Sequence, residues 1–290
     1  MKKTKIIVPA LGVLLLSTAA SVTGTVAWFS MNNFVTATGM NVTAKAENGI
    51  IISNAADGTT WKDSAISTRT ATLAVKPTST ATGATWVHST SNNAALANTG
   101  NAYAALTPVF DTTTGAGYID ENSNETFDAA TDSAYYAMHS FYIKSSAQAI
   151  TNTLYITNVK ATLPTTQNSA DLNKALRVLV KLNGNDSSAK VYSPVYAAAN
   201  YSVATTSGAS ATTPVTPINA SGTNGLIAVG SQEFLASQVI PANDTNAPLQ
   251  IDVYLYFEGE DPNCISNNLK ATLDEINVSV TFGTQTKTAE

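Results

Sequence analysis

Ile251-Asp252-Val253-Tyr254-Leu255-Tyr256-Phe257 sets Ile251, Val253, Leu255 and Phe257 on one side of an extended chain and Asp252, Tyr254 and Tyr256 on the other. That alternation marks a strand with one row of side chains turned inward. The pattern recurs in both directions along the chain. Ile276, Val278, Val280 and Phe282 alternate with Asn277, Ser279 and Thr281. Leu176, Val178, Val180 and Leu182 alternate with Arg177 and Lys181, and Asn183-Gly184 ends the run. Tyr155, Thr157, Val159, Ala161 and Leu163 alternate with Leu154, Ile156 and Asn158. Met40, Val42, Ala44 and Ala46 interleave with Asn41, Thr43 and Lys45. Asn48-Gly49 and Ile50-Ile51-Ile52 follow, which predicts a hairpin because Asn-Gly accepts positive φ. Many strands divided by turn residues predict an all-β chain, a jelly-roll-like antiparallel sandwich.

Composition narrows the function classes. Of 290 residues, 138 are Ala, Thr, Ser or Asn and 12% are charged, so scattered Val, Ile, Leu, Phe and Tyr must build the interior. A net charge of −5 with 15 basic residues leaves no electrostatic footprint for nucleic acid. The single Cys264 excludes an intramolecular disulfide and a Cys-rich zinc site, and reads as a bystander thiol. The chain has no His-Glu-x-x-His, no Gly-x-Ser-x-Gly and no phosphate loop. With two histidines, His88 and His139, and no acid–base partner segment, the sequence does not read as an enzyme.

Lys2, Lys3 and Lys5, the apolar run Ile6 to Leu16 and the small residues after it have the layout of a secretory signal peptide. Small residues at −1 and −3 mark two cut sites, after Ala20 and after Ala27. Residues 1–27 are expected to be removed, and the membrane to be met only through them. Residues 28–46 then form an N-terminal strand segment, and 47–290 one β domain. Lys76 to Ala105 and Ser202 to Gly225, rich in Thr, Ala, Ser, Asn or Pro, read as surface insertions. One short helix is expected over Ser169 to Ala175, capped by Ser169 or Asp171. A second is expected near Asp132 to Met138, although Tyr135 to Ile143 also reads as a strand.

Two acidic stretches invite a metal. Asp120, Asn122, Asn124 and Asp128 sit at positions 1, 3, 5 and 9 of a loop, the oxygen spacing of a calcium site. The stretch departs from an EF-hand, since Glu125 replaces the turn glycine and Thr131 the bidentate Glu; a solvated polar turn is the competing reading. Glu258-Gly259-Glu260-Asp261 offers three carboxylates beside a turn, either for a cation or, more simply, as a solvated strand exit.

A mature chain starting Trp28-Phe29-Ser30-Met31-Asn32 has an apolar terminus, whereas free termini are usually polar and frayed. Ala27, this aromatic start, the Thr36 to Ala46 strand and, more weakly, the strands ending at Phe257 and Phe282 resemble the TasA/camelysin-type exported proteins of Firmicutes. The resemblance covers roughly the first 50 and the last 40 residues. It implies a jelly-roll subunit of an extracellular, pilus-like or biofilm-matrix fibre. Subunits would join head to tail by donating the mature N-terminal strand, with Trp28, Phe29, Met31, Phe34 and Val35 as the donated side chains. The expected partner is the protein itself, with minor subunits or an anchor protein beside it, at the cell surface. The alternative is a monomeric adhesin or glycan-binding module using Tyr135, Tyr136, Tyr142, Tyr254 and Tyr256 as aromatic platforms.

Overall fold

A computed structural model describes residues 35–288 except 70–71, 90–102, 121–125, 129–131, 163–172, 196–197, 199, 204–212, 222–223, 262 and 265–271. The architecture is an all-β sandwich. Its first layer runs β8 (Ala116–Ile119), β9 (Ser133–Ser145), β18 (Leu249–Phe257), β11 (Leu176–Leu182), β12 (Asn185–Ser193), all antiparallel. The facing layer runs β4 (Leu73–Val75), β1 (Val35–Ala46), β19 (Thr272–Gly283), β10 (Ile150–Thr162), β17 (Glu233–Ile240). Short links join the layers at both margins: β4 bridges to β9, while β15 (Ile218–Ser221) and β16 (Leu226–Ile227) join β12 to β10.

The sheet is mixed rather than purely antiparallel. The first and last strands lie side by side in parallel, from Thr36 opposite Thr272 to Ala46 opposite Phe282. β1 is held on its other margin by β4 and by β3 (Ser64–Ser67). It therefore runs through the interior of its own sheet, with Val35, Met40, Val42 and Ala44 buried.

The Asn48-Gly49 turn has the expected backbone, with φ of 59° and 84°. It does not make a hairpin. β2 (Ile50–Ser53) pairs with β9 in the opposite layer, so the turn is a corner between layers. Asn183-Gly184 does close a hairpin, between β11 and β12. The helix expected near Asp132 to Met138 is the start of β9. Of the other expected helix only the turn 173–175 falls within the described residues and is helical. In β10 the inward row is Leu154 and Ile156, then Val159, because a register shift between Ile156 and Asn158 resets the alternation. Among the described residues, the buried Thr157 hydroxyl at that shift has no hydrogen-bond partner.

The main core fills the space between the layers, with Val42, Ile156, Phe141, Val178, Leu255, Ile276 and Phe282 among its members. A second core lies on the outer face of the first layer. Tyr136 of β9, Leu179 of β11 and Tyr254 and Tyr256 of β18 point outward and are covered there. Apart from Tyr201, the covers come from the two stretches expected to be surface insertions. One brings Trp86 and Val87 on β5 (Trp86–Ser89), paired with β6 (Tyr103–Leu106); the other brings Val203 and Val215, beside Tyr201, on β13 (Tyr201–Val203) and β14 (Thr213–Val215). Trp86 stacks on Tyr136 with ring centroids 4.4 Å apart and meets Tyr256 edge-on at 5.2 Å. β11 and β18 are thus buried on both faces.

Candidate functional site

The residues singled out in the sequence are dispersed. Trp28, Phe29, Met31 and Phe34 lie outside the described residues, while Val35 is buried in β1 opposite Val75. Asp120 follows β8, and Asn122 and Asn124 lie outside the described residues. The Asp128 amide donates to Asp132 Oδ2 at 2.7 Å, and the Asp132 amide donates back to the Asp128 carbonyl at 2.7 Å. Among the described residues, no group of three or more His, Cys, Asp or Glu side chains converges as a metal site. Tyr136, Tyr254 and Tyr256 are second-core residues rather than exposed platforms.

Both histidines are held neutral. His88, on β5, has its pKa lowered by burial and then by Lys76. His139 is fully buried, with Nδ1 2.9 Å from Ser67 Oγ; burial and then Arg69 push its pKa down to about 3. Such an imidazole is a poor base at neutral pH. A groove of about 930 Å³ opens where β1 ends, lined by Lys45, Glu47, Asp63 and Lys287. Lys287 Nζ lies 3.3 Å from Glu47 Oε1 across it.

The densest unusual chemistry is where β18 ends. Glu258, Glu260 and Asp261, one reading of which was a solvated strand exit, are all buried. Arg177, read as an outward polar residue of its strand, is 1% exposed and forms an ion pair with Asp261. Its Nη1 also donates to the carbonyls of Lys174 at 2.6 Å and Leu176 at 3.0 Å. Glu258 Oε1 accepts from the Ser79 hydroxyl and, at 3.0 Å, from the Glu260 amide. Among the described residues, Glu258 Oε2 and Arg177 Nε have no hydrogen-bond partner of normal geometry. The Tyr201 and Tyr256 hydroxyls lie 3.3 Å apart beside this cluster.

Burial dominates the electrostatics. It raises the Glu258 pKa to about 7, with the Ser79 hydrogen bond and Arg177 pulling the other way. Burial likewise raises Tyr201, Tyr256 and the Cys264 thiol, which makes Cys264 inert. Glu258 is 0% exposed, so it can gain or lose a proton but cannot reach a substrate. Compared with family models, curated proteins and solved structures, the chain has no match.

Proposed function

We propose that this protein is a secreted structural subunit that polymerises head to tail into an extracellular fibre by donating its N-terminal segment. The observation that carries the reading is the parallel pairing of the first and last strands. It sets the chain's entry, at Val35, and its exit, after Gly283, at opposite ends of the sandwich. A segment leaving one end toward the next copy gives a contact that does not close on itself, and such contacts propagate as filaments.

The same pairing bounds the donor. Residues from Val35 onward pair within their own sheet, so the donor in this reading is Trp28 to Phe34, without Val35. Its aromatic side chains would fill an apolar cleft while its backbone adds to a sheet edge. The resemblance at residues 28–46 and the export-signal layout of residues 1–27 support the same reading.

The mature chain starting at Trp28 is expected to form regular filaments by negative-stain electron microscopy. Deleting residues 28–34 is expected to leave a folded monomer and no filaments. Filaments of unchanged form from the truncated chain would defeat the proposal.

A further inference from the structure

The ribbon that carries Trp86 is fastened to the sandwich beside Glu258. The Thr78 amide donates to the Phe257 carbonyl and the Gly259 amide to the Thr78 carbonyl, both at 3.0 Å. The Ser79 and Val87 amides bond each other's carbonyls at 2.9 and 3.0 Å, folding the ribbon back on itself. Thr78, Ser79 and Thr80 are buried, and Ser79 reaches Glu258 Oε1.

The groups facing Glu258 are Arg177 of β11, Tyr201 of β13, Tyr256 of β18, and Glu260, Asp261 and Cys264 of the loop after β18. The ribbon itself contributes the Ser79 hydroxyl. Arg177 is the one cation among these groups, and it is committed to Asp261 and two carbonyls. Among the described residues, an ionised Glu258 is therefore a buried charge that shares Arg177 with Asp261; the Tyr201 and Ser79 hydroxyls favour the charged form, but burial outweighs them. Such a charge is relieved by admitting water. The ribbon lies directly over this carboxyl: Thr78 bridges to Glu258 itself, and Ser79 bonds its side chain.

We propose that the 77–89 ribbon is a proton-operated latch, closed while the Glu258 carboxyl is protonated and lifting when it ionises, so that the aromatic face of Tyr136, Tyr254 and Tyr256 is uncovered. The high proton affinity of Glu258 places the transition near neutral pH.

Hydrogen–deuterium exchange of the mature chain tests this, with rates corrected for intrinsic exchange and compared at about pH 5.5 and about pH 8.5. Peptides covering 77–89 are expected to lose protection on the order of tenfold or more at the higher pH, while β19 does not change. Glu258→Gln is expected to abolish the difference. The proposal is overturned by an unchanged wild type, by an equal loss in β19, or by the same loss in Glu258→Gln. Should that variant not fold, Ser79→Ala serves instead. It removes a hydrogen bond that favours the carboxylate, so the midpoint moves to higher pH; an unmoved midpoint overturns the latch.

Discussion

Glu258 and His139 are sealed in different parts of the fold and tilt the pH dependence of stability in opposite directions. The Glu258 pKa rises from 4.5 to about 7 on folding, so the native state holds that proton more tightly. Its contribution is fully present below about pH 4.5 and is lost as pH rises through about 7, a change on the order of 3 kcal/mol. The His139 pKa falls from 6.5 to about 3, so the unfolded chain takes that proton first. Its contribution is present above about pH 6.5 and is lost as pH falls toward about 3. Urea titrations across this range should show stability declining on both sides of a mildly acidic optimum. Glu258→Gln should flatten the alkaline limb alone, and His139→Asn the acid limb alone. The Arg177–Asp261 pair sets a further test. Asp261→Ala leaves a buried guanidinium uncompensated and should cost about 3–5 kcal/mol, whereas replacing both partners by apolar residues should cost much less.

At the scale of elements, the second core depends on close packing around Tyr136. Gly117 of β8 lies under the Tyr136 ring, and a β-carbon there would collide with it. Trp86 stacks on the same Tyr136 ring. Trp86→Ala should lower stability by about 3–5 kcal/mol in chemical denaturation and quench the near-ultraviolet signal of the tyrosines. Gly117→Val should disturb the same signal with Trp86 intact. The strands themselves were legible, because inward Ile251, Val253, Leu255 and Phe257 follow the period of the pleat. Alternation is silent about what lies above the other row, so Arg177 and the outward tyrosines gave no hint of a second cover. Nor could it reveal that Asp261, 84 residues further on, would meet Arg177. Asn48-Gly49 announced its own backbone angles correctly, but turn chemistry does not choose the partner of the strand that follows. Tyr135 to Met138 fits a helix and a strand equally well as a short run, and pairing with Leu255 and Ala116 decided it.

On the scale of the whole molecule, β1 is the spine of the sandwich. Val42→Asp, which buries a charge in the middle of β1, should unfold the monomer, whereas replacing Trp28 and Phe29 by alanine should leave the melting temperature unchanged while removing filaments. Circular dichroism melts alongside electron microscopy separate the two effects. The side-by-side placement of the first and last strands also fixes how the subunit meets tension. Pulled from both chain ends, β1 and β19 slide past each other along their length. The hydrogen bonds from Thr36–Thr272 to Ala46–Phe282 are then loaded together in shear instead of being peeled one at a time. Rupture under load is governed by the unfolding rate, and a shared load slows it. Stretched by its two termini in a single-molecule trap, the domain should give way at one high force peak rather than through a series of low ones. A chain of such subunits would carry load lengthwise as a rope does, through its strands and not across them.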